Sequence, residues 1–271
     1  MPFRFPDRLL PDPSSDWNPS FVDLLTTRHP HLLTRWDAPA LGGEEAPFPV
    51  THGTTILALR YDVGVVIAGD RQATEGTQVA GRRIEKVYKA DGYSAIAIAG
   101  VAGQAVEIVK LFQLELEHYE KITGDRLSLE GKANRLAQMI RGNFPLALQG
   151  LVVVPIFGGY DERQGEGRIF YYDATGGRWE EDDYQTTGSG GLPAKNSLKK
   201  RWRAGLDRVE ATRIAVEALI DASEDDTATG GPDVARGIFP NVVVITADGA
   251  EDAPEADVAA AVDAVMRERS T

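Results

Sequence analysis

Gly53-Thr54-Thr55 stands where a proline-rich stretch gives way to an apolar strand pattern. A threonine freed as a new N-terminus carries a nucleophilic hydroxyl and a base, the α-amine, in one residue. That amine has an ordinary pKa of about 7.7 to 8.0, so it takes up a proton near neutral pH. Breaking the Gly53-Thr54 bond would therefore create the base. Asp70 ends an apolar run in Gly69-Asp-Arg-Gln-Ala-Thr74, where a carboxylate is costly unless paired, and Lys86 is the natural cation. Alternation puts Lys86 on one face with Ile84 and Tyr88, pointing inward. Taken alone, such a pair is more often structural than catalytic. Gly100-Val-Ala-Gly103 sets small residues at a strand-to-helix junction, where free NH groups suit an oxyanion, although such turns are common. The run from Gly188 to Gly191 presents Ser189 on a flexible loop. As a phosphate loop with Lys195 it fails, because no glycine directly precedes Lys195 and Ser197 is one place too far. The segment from Asp225 to Gly231 is an ordinary helix stop that would also hold an amine through Asp226 and Thr229.

Composition removes other catalysts. There is no cysteine, hence no thiol nucleophile, disulfide or thiolate metal site. Of four histidines, His29, His31 and His52 precede Thr54, and His118 lies in an amphipathic helical pattern that leaves it solvated. Without the leader, no Ser-His-Asp triad or multi-histidine metal site can be built except through His118, so neither metal nor cofactor is expected. A net charge of -12 argues against nucleic acid as a partner. No apolar run reaches spanning length and no signal peptide opens the chain, so no membrane association and a cytoplasmic location are expected.

The elements that must position these residues follow from periodicity. Residues 1 to 53 hold 9 of the 15 prolines together with Phe3, Phe5, Trp17, Phe21, Trp36 and Phe48, which predicts an extended leader, either docked through its aromatics or free. From Thr54 onward, strands are predicted over 55–61, 63–70, 84–88 and 93–98. Helices follow over about 105–119 and 129–140, strands at 151–157, 167–173 and 180–187, helices at 194–203 and 209–222, a strand at 241–247 and a last helix at 254–267. Blocks of strands and helices predict an α+β fold with antiparallel sheets and segregated helices.

Taken together, Gly53-Thr-Thr-Ile56, Gly69-Asp-Arg71 with Thr74, Lys86 before Val87, Gly100, Gly188-Ser-Gly190, and Asp226 with Thr229 ahead of Gly230-Gly231 resemble the proteasome β-subunits of actinobacterial type. The order and spacing agree over about residues 54 to 250. The resemblance implies a four-layer αββα N-terminal nucleophile hydrolase fold, with two antiparallel sheets between helix layers. It implies a propeptide, 1–53, removed by self-cleavage between Gly53 and Thr54, and a catalytic domain over 54–271. It further implies a threonine endopeptidase in a homo-heptameric β ring, two such rings stacked between heptameric rings of α-subunits, and a ring-shaped ATPase on the α ring delivering tagged proteins. Carried over by position, Thr54 resembles the nucleophile, flanked by Asp70 and Lys86. Gly100 resembles the oxyanion donor, and Ser189, Asp226 and Thr229 the groups that orient the amine. Many relatives have serine where Thr229 stands, and the hydroxyl is retained. Thr74 resembles a clamp on the substrate backbone. Ala73, Ile98 and Ala102 fall at positions lining the first specificity pocket, where their apolar character favours cleavage after hydrophobic residues. Two other readings are a ring subunit with this fold but no activity, which the intact Thr54, Asp70 and Lys86 oppose, and a nucleotide binder using the 188–195 loop.

Overall fold

The computed structural model describes residues 53–75 and 78–270; the rest of the proline-rich leader, with His29, His31 and His52, lies outside them. Strands β1 (Thr55–Tyr61) and β2 (Gly64–Gly69) form a hairpin turned at Asp62 and Val63. β3 (Ala73–Glu75) and β4 (Gln78–Gly81) make a small ribbon, and β5 (Val87–Asp91) pairs with β6 (Ser94–Gly100). Helices α1 (Ala102–Thr123), α2 (Leu129–Gly142) and the short α3 (Phe144–Ala147) come next. Strands β7 (Val153–Asp161), β8 (Glu166–Tyr172), β9 (Arg178–Glu181) and β10 (Tyr184–Gly188) follow. Helices α4 (Gly191–Arg201) and α5 (Arg208–Asp225) lead to β11 (Asn241–Thr246), β12 (Gly249–Asp252) and α6 (Glu255–Arg269).

Two five-stranded antiparallel sheets result, ordered β10-β1-β2-β11-β12 and β5-β6-β7-β8-β9. Side-chain alternation survives in them, but it sorts residues between two cores and not between core and water. On β1, Leu57 and Leu59 join α4, α5 and α6 in one core, while Ile56 and Ala58 face the other sheet. On β6, Ile96 and Ile98 pack under α1 and α2, while Ala95, Ala97 and Ala99 line the gap between sheets. Three apolar layers thus separate four structural ones, giving the expected αββα sandwich. Full burial of one such Leu or Ile contributes about 1.5 to 3 kcal/mol. A one-residue slip of β1 would force its leucines into the alanine-lined gap, so register is strongly fixed.

Several local expectations needed revision. The stretch expected as one strand over 180–187 is two strands in different sheets, because the chain crosses from β9 to β10 at Asp182 and Asp183. β3, β4, β12 and α3 escaped notice, being three or four residues long with too few apolar positions to show a period. The strand expected from Ile84 begins only at Val87. His118 is exposed on α1, as expected. No helix among the described residues is long and apolar enough to cross a membrane.

Candidate active site

The ends of β1, β2, β5, β6 and β10 converge on Thr54. Its backbone enters β1, and its carbonyl oxygen accepts the Ser189 N–H at 3.0 Å from beyond the end of β10. The Gly53-Thr54 bond is intact, and both residues are buried. Thr54 Oγ1 donates to the Gly53 carbonyl oxygen at 2.7 Å, Thr54 N donates to Ser189 Oγ at 3.3 Å, and Gly53 N donates to Thr74 Oγ1 at 3.0 Å. A Cβ at Gly53 would lie 1.7 Å from the Ala228 Cβ. Glycine is thus required there by the close approach of the segment after α5.

Asp70, just past β2, is the fully buried hub. Its Oδ1 accepts Thr55 N at 2.9 Å and Lys86 Nζ at 2.6 Å; its Oδ2 accepts Gln72 N and Gly230 N, each at 2.9 Å. Four donors offset the cost of burying the charge. Lys86 is also buried, although the alternation argument that placed it inward does not hold. Residues 82–86 are not a strand, and Ile84, assigned to the same face, is 37% exposed. The lysine is held instead by its carbonyl, which accepts Ile98 N at 2.9 Å, by Val87 N bonding Asn241 Oδ1 at 3.1 Å, and by Asp70. Burial lowers the Lys86 ammonium below the ordinary lysine range, against the opposing pull of Asp70 and Asp226.

On the other flank, Asp226 Oδ2 accepts Ser189 Oγ at 2.5 Å and Thr229 Oγ1 at 2.6 Å. Burial pushes this carboxyl up, but the two hydroxyls, the Ala228 N–H and the Lys86 charge outweigh it and hold the group below the usual aspartate range. The cluster contains a residue to which sequence reasoning gave no role: Thr55 Oγ1 lies 2.6 Å from Thr229 Oγ1. Its place in Gly53-Thr-Thr-Ile56 marks the residue but does not show what its hydroxyl meets.

One narrow cleft is lined by Gly53, Thr54, Ala73, Lys86, Ile98, Gly100 and Ala102. Gly100 has φ +125°, and a Cβ there would meet the Val152 oxygen at 2.1 Å, so only glycine turns β6 into α1 at this point. Glu85 and Tyr88 line the cleft too, and sequence reasoning did not foresee this acidic edge. All eleven sequence-predicted positions beyond Gly53 belong to this cleft or the adjoining hydrogen-bonded clusters. The phosphate-loop reading gains nothing, since Lys195 Nζ donates to Gln185 Oε1 at 3.3 Å from within α4.

Residues 50–235 match the family described as proteasome subunit. A protein named proteasome subunit beta from Acidimicrobium ferrooxidans is 52% identical over 95% of this chain and 94% of its own length. Proteins of the same name from Frankia casuarinae and Streptomyces griseus are 52% identical over 93% of this chain and 91% of theirs, and 56% identical over 85% and 81%. This chain belongs to the proteasome subunit family.

Proposed function

We propose that this chain, a threonine peptidase of the proteasome β type, acts through Thr54 after releasing residues 1–53 by its own chemistry. The observation carrying this reading is the Thr54 hydroxyl, 2.7 Å from the oxygen of the Gly53 carbonyl it would attack, with Thr54 N already on Ser189. In self-cleavage Thr54 Oγ adds to the Gly53 carbonyl carbon, the C–N bond breaks, and water hydrolyses the resulting ester. The leader leaves with a Gly53 carboxylate, and Thr54 gains a free amine. Before that event the amine is tied up as an amide, so the base comes from elsewhere. Lys86 lines the same cleft, and burial depresses its proton affinity.

In the mature enzyme the amine takes the Oγ proton as Thr54 attacks a substrate carbonyl, Gly100 N–H stabilises the oxyanion, and water resolves the acyl ester. Ser189, Asp226 and Thr229 orient the amine, and Asp70 holds Lys86 beside it. Thr74 binds substrate backbone, and Ala73, Ile98 and Ala102 shape a pocket for apolar residues. The domain over 54–271 works in a proteasome core ring. We assign it to seven-membered rings of one β chain, two of them between rings of α-subunits, fed with tagged proteins by a ring ATPase in the cytoplasm. Mass spectrometry of assembled protein is expected to find Thr54 first. Thr54→Ala should stay unprocessed and lose at least about a thousandfold in fluorogenic-peptide hydrolysis. Processing of that variant at Gly53 would overturn self-cleavage, and retained hydrolysis would overturn the nucleophile.

A further inference from the structure

The hydroxyl of Thr55 has no part in the chemistry above, yet it is fully buried and 2.6 Å from Thr229 Oγ1. The donor in that contact follows by elimination. Thr229 has one hydroxyl proton, and it is directed at Asp226 Oδ2, 2.6 Å away. Thr55 must therefore donate. The result is a one-way chain in which Thr55 donates to Thr229 and Thr229 to Asp226, while Ser189 donates to the same carboxylate oxygen and accepts from Thr54 N. Hydrogen bonds in such a chain polarise one another, so a donor at its far end strengthens the bond that reaches the carboxylate. The backbone of the same residue is fixed too, since Thr55 N donates to Asp70 Oδ1. Gly190 packs against the hydroxyl pair so closely that a Cβ there would sit 2.3 Å from Thr55 Oγ1 and 2.6 Å from Thr229 Oγ1.

We infer that Thr55 is a positioning residue for the terminal amine: its hydroxyl anchors Thr229 and, through it, sets how much negative charge Asp226 presents to Thr54, within a space that Gly190 keeps open. The inference rests on Thr54 being the nucleophile. The titratable groups packed around the Gly53-Thr54 bond are Asp70 after β2, Glu85 and Lys86 ahead of β5, Tyr88 within β5, and Asp226 after α5. All five are unchanged by substitution at Thr55. Without its donor, Thr229 becomes a weaker donor to Asp226, and the less shielded carboxylate favours the ammonium form of Thr54. The acid limb of the rate profile then moves to higher pH.

The test uses the full chain as wild type, Thr55→Val, Thr55→Ser and Gly190→Ala, each assembled and checked by mass spectrometry for Thr54 as the first residue. kcat and KM for a fluorogenic peptide are then measured against pH, per processed site titrated with a threonine-acylating probe. Thr55→Val preserves side-chain shape and is expected to lower kcat at neutral pH by about three- to tenfold, the worth of one neutral hydrogen bond. KM should stay within about twofold on the same scale, and the acid limb should shift upward. Thr55→Ser restores both. Gly190→Ala, whose methyl group collides with the hydroxyl pair, reproduces the valine result from the opposite side. Wild-type kcat and acid limb in Thr55→Val would overturn the inference. So would a uniform loss at every pH, or equal impairment in Thr55→Ser, either of which assigns Thr55 to packing alone. An active Thr54→Ala would instead remove the nucleophile reading beneath it, whatever the Thr55 variants do.

Discussion

Two lysine–aspartate pairs, each with a buried lysine, stand at the two ends of β5, and by distance they are near twins. Lys86 meets Asp70 at 2.6 Å and Lys132 meets Asp91 at 2.5 Å, with both lysine side chains about 5% exposed. Asp91 is satisfied much as Asp70 is, accepting Tyr93 N at 2.9 Å and Ser94 Oγ at 2.7 Å. The cavity beside Lys132 is also the roomier, about 530 Å³ against about 40 Å³ at Thr54. Neither a buried ion pair nor the size of an adjacent cavity therefore marks the site. The difference lies in company. Lys86 shares its cleft with a threonine whose hydroxyl and nitrogen are both already held, while the cavity of Lys132 is lined by Tyr93, Arg126, Asp161 and Arg163.

Substituting each lysine puts that distinction under the greatest load. Lys86→Met is expected to lower peptide hydrolysis by at least about a hundredfold, since it removes both the base proposed for leader release and the cation beside the Thr54 amine. Lys132→Met should cost about 3 to 5 kcal/mol of stability by stranding Asp91, while activity per folded site stays near wild type. Denaturant titration beside steady-state kinetics separates the two, and equal activity losses would erase the comparison. A second contrast uses crowded glycines. Gly53→Ala, pressed against Ala228, should slow leader release at least about tenfold by displacing the scissile bond, followed by gel or mass analysis over time. Gly159→Ala, whose methyl group would meet Leu129 Cδ1 at 2.4 Å beside the other cavity, should cost about 1 to 3 kcal/mol through overpacking and leave processing untouched.

The smallest contrast is in acid. Asp226 and Asp161, one in each region, both ionise at lower pH in the folded chain than in the unfolded one. At Asp161 burial pushes upward but is outweighed by Arg168 and the Arg163 and Gln164 N–H groups. Each therefore contributes stability that is complete above the unfolded value of about 3.9 and is lost as pH falls through the native one. Asp226→Asn and Asp161→Asn should both flatten acid unfolding monitored by circular dichroism, and only Asp226→Asn should lower activity.

How much of this was legible beforehand depended on length and burial. β1, β2 and β11 announced themselves as unbroken apolar runs, because both faces of their sheet are covered. β3, β4 and β12 are too short for periodicity to register, and the β9 to β10 crossing is invisible because strand pattern continues through a change of sheet. The inward placement of Lys86 rests on a strand from Ile84, whereas β5 begins only at Val87, and the lysine's anchors, Asp70 and the Ile98 N–H, are contacts distant in sequence. Motif spacing reached every residue of the cleft that resembles a family pattern. It spans Thr55 without giving it a role and does not reach Glu85 or Ala228, whose parts depend on which side chains the fold sets beside them.

The bond from Gly53 N to Thr74 has a practical corollary for inhibitors. On the proposed role of Thr74 as a clamp on substrate backbone, a chain whose Gly53-Thr54 bond is intact keeps its own Gly53 on a group that a substrate would need, and it would be self-occluded. A threonine-reactive covalent probe should label processed chains and ignore unprocessed ones. Such a compound would read out maturation as a clock, one label for each leader lost.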